Sequence, residues 1–376
     1  MISINESMLE GIRDLLNNYT VECFQCGECT VTCPITSYTG DVINVRRLMR
    51  SAQIGINDYD NMWACATCKL CEESCPRGVK IVDTIVALRA MAFQEHNAPE
   101  KIEKVVWDIF ENGNPWGGKK NERAKWAEGM GIKNAREGVD VLLYVGCEAA
   151  YDPSQHDSIR SISYILNKAG VNFGILGNEE RCCGEPLKNA GEFGFLEELI
   201  LQNIKDFEGT GAKYIVTVSP HCANMFKKYY KKYGLSIEVM HYAEFFEKLK
   251  NEGKINFKKI ENGNTVTYHD PCILSRDDRF IDEPRDMLKS AGFKVVEMKD
   301  HGNLSLCCGG GGNRMFLEFK GKRLSDIRAD QAKETNAQII VTACPYCNMN
   351  IRDSVKTRNM NMKVMDLAQL IKEMIE

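Results

Sequence analysis

Long apolar runs are missing from this sequence. No stretch of about 18 residues is apolar enough for a bilayer-spanning helix, so no transmembrane segment is expected. The opening MISINESMLEGIRDLL lacks the charged n-region and apolar h-region of a secretory signal, and a cytosolic chain is the expectation. Basic excess is absent too: 48 Lys and Arg face 52 Asp and Glu, for a net charge of −4 and a pI near 6.0, which leaves no electrostatic footprint for nucleic acid. The lysine pairs Lys227-Lys228 and Lys231-Lys232 read as a solvated helix face. No G-x-G-x-x-G fingerprint follows a strand, so a Rossmann-type flavin or nicotinamide site on this chain is excluded. What the sequence has in abundance is cysteine, 17 residues of it. In a chain kept reduced, grouped cysteines indicate metal rather than disulfides.

Five of them lie in residues 268–347: Cys272 after His269-Asp270-Pro271, Cys307 and Cys308 before Gly309-Gly310-Gly311-Gly312, and Cys344 and Cys347 in a Cys-Pro-Tyr-Cys turn. Thiolates are soft ligands that select iron–sulfur clusters, zinc or copper(I). Five converging thiolates are one more than tetrahedral zinc or an ordinary four-iron cube requires. Adjacent Cys307 and Cys308 suit two irons of one unusual cluster. The glycines, having no Cβ, allow close backbone approach to inorganic sulfide.

Eight more cysteines form two matched runs, Cys23-x2-Cys26-x2-Cys29-x3-Cys33-Pro34 and Cys65-x2-Cys68-x2-Cys71-x3-Cys75-Pro76. This is the bacterial-ferredoxin spacing, in which the fourth cysteine of each run ligates the other cluster. One cluster is therefore expected on Cys23, Cys26, Cys29 and Cys75, the other on Cys65, Cys68, Cys71 and Cys33. Residues 1–20 read as an amphipathic helix, with a Ser3/Glu6 capping box and Met8, Ile12, Leu15, Leu16 and Tyr19 on one face. Residues 41–52 and 79–94 also read as helices, which makes residues 1–95 an all-helical ferredoxin-like domain with two [4Fe-4S] clusters. Residues 96–138 form a Gly- and Pro-marked connector, whose Trp107, Trp116 and Trp126 predict that it packs between domains.

From residue 139 the sequence repeats itself. The run DVLLYVGC ending at Cys147 matches TVTYHDPC ending at Cys272, an offset of 125. Cys182-Cys183-Gly184 matches Cys307-Cys308-Gly309, and Ser219-Pro220-His221-Cys222 matches Cys344-Pro345-Tyr346-Cys347, at the same offset. Only residues 166–176 slip, matching 288–298. Each half alternates strands and helices, predicting parallel α/β units with cysteines at strand ends, where open α/β sheets bind ligands. The expected organisation is an α+β multi-domain chain: the helical domain, the connector, then two pseudo-repeated α/β cysteine-rich domains at 139–260 and 261–376. Ser219 stands where the second half has Cys344, so Cys147, Cys182, Cys183 and Cys222 form at most a possible further metal site. A hydroxyl is a poor iron ligand beside thiolates, and the second half is expected to be the active one.

The motif Cys-x34-Cys-Cys-Gly-x34-Cys-Pro-x-Cys resembles the cysteine-rich "CCG" domain of heterodisulfide reductases. CFQCGECTVTCP and CATCKLCEESCPRGVKIVDTI resemble the ferredoxin-type subunit of that enzyme. Both on one polypeptide resemble the fused catalytic subunit of its membrane-associated form. The resemblance implies that Cys272, Cys307, Cys308, Cys344 and Cys347 hold a non-cubane [4Fe-4S] cluster that reduces a small disulfide or thiol substrate. It also implies a protein redox partner: a flavoprotein, a hydrogenase or bifurcating subunit, or a membrane cytochrome b through which the chain becomes membrane-associated. The family's cytosolic enzyme has two complete five-cysteine sites, and Ser219 departs from that pattern.

Disulfide cleavage takes two electrons and yields a thiolate that needs a proton. His301 and His269 are the candidate donors, since histidine titrates near neutrality, with His301 placed among the catalytic residues. His221 is read as structural. Arg314 is a candidate for holding an anionic substrate group, a helix-surface place being the alternative. The same superfamily contains iron–sulfur subunits of flavin-dependent glycolate, lactate and glycerol-3-phosphate dehydrogenases, so a pure electron-transfer subunit is the second functional reading.

Overall fold

Residues 19–40, 43–56, 61–258 and 264–375 are described by the computed structural model. The expected amphipathic helix at 1–20 lies almost wholly outside them.

The two N-terminal cysteine runs share one backbone path. Gln25 and Thr67, each just before a second cysteine, have φ of 64° and 50°, and Gly27 and Lys69 just after have φ of 90° and 62°. These left-handed residues wind each loop tightly before the one-turn helices Glu28–Val31 and Leu70–Glu73. Such conformations cost a non-glycine residue about 1–3 kcal/mol and persist where the surroundings over-determine them. Helix Val45–Ile54 starts at Asn44, whose side chain accepts from the Arg47 amide, and stops at Gly55 in the left-handed region. It begins later than the pattern of apolar residues predicts. Helix Ile81–Gln94 carries a core of Ile85, Leu88 and Ala92 and a fully buried Arg89. Between residues 19 and 132 no strand occurs among the described residues.

Each repeat is a parallel sheet flanked by helices. The first contains β1 (Lys133–Asn134), β2 (Val141–Tyr144), β3 (Phe173–Ile175), β4 (Tyr214–Thr217) and β5 (Glu238–His241), in the order β1-β3-β2-β4-β5. The second contains β6 (Thr265–His269), β7 (Lys294–Val295), β8 (Ile339–Thr342) and β9 (Lys363–Asp366), in the order β7-β6-β8-β9. Leu142 pairs with Ile215 in the first and Thr267 with Ile340 in the second, so the sequence repeat is a repeat of register. Even the caps correspond: His241 and Asp366 each start a helix with a capping box, closed by Glu244 and Gln369.

The repeats are not beads on a string. The helix His156–Lys168 of the first packs along Leu367–Lys372 of the second, and one apolar cluster contains Ile162, Phe246, Tyr268 and Ile371. At its centre the buried Tyr242 hydroxyl donates to Asp366 Oδ1 at 2.8 Å. Lys227 Nζ bridges Glu244 (2.8 Å) and Asp278 (3.3 Å), while Lys228 reaches Asp277, so this lysine pair ties the repeats together instead of forming a free solvated face. Lys231 and Lys232 are exposed.

The segment read as connector contributes more than a link. Its β1 joins the first sheet by pairing with β3, a strand too short to leave a periodic signal. Trp126 is buried in the shared core and Trp116 packs on Phe316 of the second repeat at 4.9 Å, but Trp107 is 61% exposed on helix Glu100–Asn112. Among the described residues no helix is long and apolar enough to cross a membrane.

Candidate metal centres

Strand ends deliver the five cysteines of the second repeat to one place. Cys272 follows β6, and Cys344 follows β8 as the N-cap of helix Pro345–Thr357, whose first turn carries Cys347. The loop with Cys307 and Cys308 enters between them, and the Gly309 amide donates to Cys307 Sγ at 3.3 Å. The thiols form a chain within hydrogen-bonding reach: Cys272 to Cys307, Cys307 to Cys308, Cys308 to Cys347, Cys347 to Cys344. All are buried except the half-buried Cys272. Hydrogen bonds from Cys307 and Cys347 hold Cys308 well below the ordinary thiol range against its burial. Burial alone would raise Cys344, yet hydrogen bonds from Cys347 and His221 bring it to about 6. A buried array of five sulfurs, part of it biased to thiolate, fits a soft iron–sulfur centre and exceeds what zinc takes.

The eight N-terminal cysteines fall into the two crossed groups. Cys29 lies in the electrostatic field of Cys23, Cys26 and Cys75, and Cys71 in that of Cys65, Cys68 and Cys33. Cys26 is exposed, whereas Cys33, Cys65, Cys68 and Cys71 are buried. The second group faces inward, and its Cys68 thiol reaches Cys307 of the five-cysteine array.

Buried arginines fasten this contact. Arg276 Nη1 donates to the Cys68 carbonyl at 2.5 Å and its Nη2 to the Ser305 carbonyl. Arg89 donates to the carbonyls of Met62, Cys65, Asn189 and Gly312, at 2.8 to 3.1 Å, which joins the helical part to both repeats. Arg314 is buried, donates to the Ala64 carbonyl at 2.6 Å and lies over Phe319, so it occupies neither a helix surface nor an open anion site. Charge-assisted bonds of this kind are among the stronger ones in a protein interior. Part of the glycine run also admits a neighbouring loop. A Cβ at Gly311 would lie 2.5 Å from the Ala66 carbonyl oxygen and one at Gly312 2.3 Å from that of Cys65. These two glycines admit the ferredoxin-type loop, while Gly309 and Gly310 border the sulfurs: the Gly309 amide reaches Cys307 Sγ, and a Cβ at Gly310 would stand 3.7 Å from Cys308 Sγ.

The histidines redistribute. His301 is exposed, with Nδ1 on the Met298 carbonyl at 2.9 Å. His269 is the one set against the array: its ring and the sulfurs of Cys308 and Cys347 lie within 4.8 Å of one another. Arg328 Nε donates to His269 Nδ1 at 2.9 Å, which places the neutral ring's proton on Nε2, an atom with no other partner. His221, read as structural, reaches Cys344 across the repeat boundary.

The first repeat gathers Cys147, Cys182, Cys183 and Cys222 in its own pocket, also lined by Ser219 and Tyr346. Ser219 Oγ accepts from the His221 amide at 3.3 Å, so the hydroxyl caps its own helix, whereas Cys344 makes no such bond. Sequence reasoning missed the buried pair Arg123–Glu180 (2.7 Å), whose Arg123 Nη2 donates to Cys147 Sγ at 3.5 Å. No sequence spacing marks it, because Arg123 comes from the connector.

The cysteine-rich CCG domain family matches residues 141–227 and again 266–352, and the 4Fe-4S dicluster domain family matches residues 20–79. The chain belongs to the CCG-domain iron–sulfur oxidoreductases. Among curated members of this family, it is 34% identical to the "EtfAB:quinone oxidoreductase" of Syntrophomonas wolfei, across 84% of this chain and 47% of that protein. It is 29% identical to a dihydromethanophenazine:CoB–CoM heterodisulfide reductase subunit of Methanosarcina mazei, across 93% of each. It is 28% identical to a fumarate reductase (CoM/CoB) subunit of Methanothermobacter marburgensis, across 93% of this chain and 71% of that one. The chain thus spans about half the length of the 34%-identical relative and nearly all of the heterodisulfide reductase relative. The Arg123–Glu180 pair and the Ser219 cap both lie at the cysteine pocket of its first CCG domain.

Proposed function

We propose that this chain is the subunit of a redox complex that carries electrons to a disulfide. In this reading residues 1–95 are the ferredoxin-like domain, 139–260 and 261–376 the two cysteine-rich domains. Cys23, Cys26, Cys29 and Cys75 hold one [4Fe-4S] cluster, Cys65, Cys68, Cys71 and Cys33 the second, and Cys272, Cys307, Cys308, Cys344 and Cys347 a non-cubane [4Fe-4S] cluster. When bound, these clusters supply one-electron transfer in series and thiophilic iron for cleavage of an S–S bond.

The observation that carries the reading is the meeting of Cys68 with Cys307, which puts the inward cluster site directly against the five-cysteine site. The chain's own residues do the rest. Arg89, Arg276 and Arg314 hold the two loops in register. A cleft of about 380 Å³ opens onto Cys308, within the size range of small-molecule sites, and Lys320, Lys322 and Glu318 line it. His269 Nε2–H, oriented by Arg328, stands beside Cys308 as a hydrogen-bond donor that stabilises a departing thiolate, whose proton then comes from solvent. His269, and not the exposed His301, is the histidine set beside the array.

Anaerobic iron and sulfide analysis tests the reading: about twelve iron atoms per chain are expected, four for each cluster. A value near eight would remove the five-cysteine centre. A second reading is favoured by the 34% identity to a protein named as an EtfAB:quinone oxidoreductase. In it the chain relays electrons between a flavoprotein and a membrane acceptor, and purified, reduced protein leaves small disulfides untouched while exchanging electrons with a flavoprotein. In both readings the chain works with a redox partner.

A further inference from the structure

The first repeat has no part in the chemistry just described, yet it sends one side chain into the five-cysteine site. His221 sits in the first turn of helix Pro220–Lys228 and its ring is buried. Nδ1 lies 3.2 Å from Glu185 Oε1, and Glu185 is in turn held by the Asn189 side chain. The ring meets Tyr346 edge-on, centroids 4.9 Å apart, and its Cε1 is 3.6 Å from where a Cβ on Gly311 would stand. Tyr346 lies between Cys344 and Cys347 in sequence, and Gly311 follows Cys308, so the imidazole is wedged into the wall of the array. With Nδ1 on the carboxylate, Nε2 is the nitrogen left to face Cys344.

The repeat alignment makes this position informative. His221 and Tyr346 are equivalent residues that meet at the repeat boundary: both line the pocket of Cys147 and Cys222, and His221 also reaches Cys344. Where the second repeat carries a phenol, the first carries an imidazole backed by a carboxylate.

We propose that His221 is a positioning residue of the five-cysteine centre, oriented by Glu185 and donating Nε2–H to the sulfur of Cys344. Carboxylate–histidine pairs set against a metal ligand fix its orientation and tune the metal, and N–H···S bonds change the reduction potential of an iron–sulfur centre. Donation to a ligand sulfur withdraws electron density from it and raises the potential. The first repeat thereby contributes to the centre without binding the substrate. This inference rests on the reading above that the five cysteines hold a redox centre.

The test is an EPR-monitored redox titration of the intact chain and three variants. His221→Phe keeps a flat ring against Tyr346 and removes the donor; the midpoint of the five-cysteine centre should shift to more negative potential. The midpoints of the two ferredoxin-type clusters should stay in place, which a general loss of packing would not allow. His221→Gln retains an N–H and should recover much of the shift, and Glu185→Gln should give part of it. An unmoved midpoint in His221→Phe overturns the inference and leaves the functional reading intact. So does a shift shared equally by all centres. If His221→Phe does not assemble the centre, His221→Gln decides: assembly at a near-normal midpoint supports the inference, and failure to assemble overturns it. A wild-type chain with no third centre overturns both together.

Discussion

The thiol of Cys68, in the second ferredoxin-type loop, lies within hydrogen-bonding reach of the thiol of Cys307, in the second cysteine-rich repeat. The loop is also pinned by Lys69 to Asp277 at 2.7 Å and by a bidentate Glu73–Arg279 pair at 2.9 Å. The inward group therefore stands between the exposed Cys26 side and the five-cysteine array.

That order predicts separable effects. Cys71→Ser should interrupt delivery from a protein donor to the five-cysteine centre while a small, strong chemical reductant still reduces it directly. Rapid-mixing EPR with each reductant makes the comparison. Equal reduction of the centre by both reductants in the variant would mean that electrons arrive by another route.

Glycine at 312 is set by the docked loop. Gly312→Ala places a Cβ 2.3 Å from a backbone oxygen at a φ of +62°, so backbone must move. The left-handed conformation alone costs about 1–3 kcal/mol, and the clash adds to it. Gly310→Ala meets chiefly the Asn350 side chain, which can rotate away. Chemical denaturation should show Gly312→Ala as the more destabilised of the two. It should also expose the 61–75 segment to protease.

Asp366 makes stability depend on pH. Burial raises its carboxyl to about 7, against the Tyr242 hydroxyl and Ala368 amide that pull it down. Folding favours the protonated form, so this contribution is full below the ordinary value of 3.8 and is lost as pH rises through about 7. Asp366→Asn keeps an acceptor for both donors and an N-cap but does not titrate. Between about pH 5 and pH 8 the Tm of the variant should fall less than that of the wild type. Parallel falls would show that Asp366 is not the group responsible.

The cysteine groups and the repeat are legible in sequence because ligand chemistry fixes their spacing and because both halves keep one strand register, seen in Leu142–Ile215 and Thr267–Ile340. Ser219 is legible as a lost thiolate, though its service as a helix cap is not. What cannot be read comes from surfaces that meet only after folding. Arg89 looks like any helix residue until four carbonyls from three segments surround it. The glycine run suggests only sulfide because nothing in sequence says that the loop of Cys65 and Ala66 lies against it. His221 reads as structural for the same reason: its partner belongs to the other repeat.

The central claim is that the second repeat reduces a disulfide with electrons passed from the ferredoxin-type loops. Single-turnover reduction of a small disulfide by pre-reduced protein tests it most directly, comparing Cys308→Ser with Cys183→Ser. The account predicts that Cys308→Ser abolishes the turnover while its ferredoxin-type clusters still reduce, and that Cys183→Ser retains most of it, because Ser219 already leaves that pocket a thiolate short. Equal losses in the two variants would contradict the account and place the chemistry across both repeats.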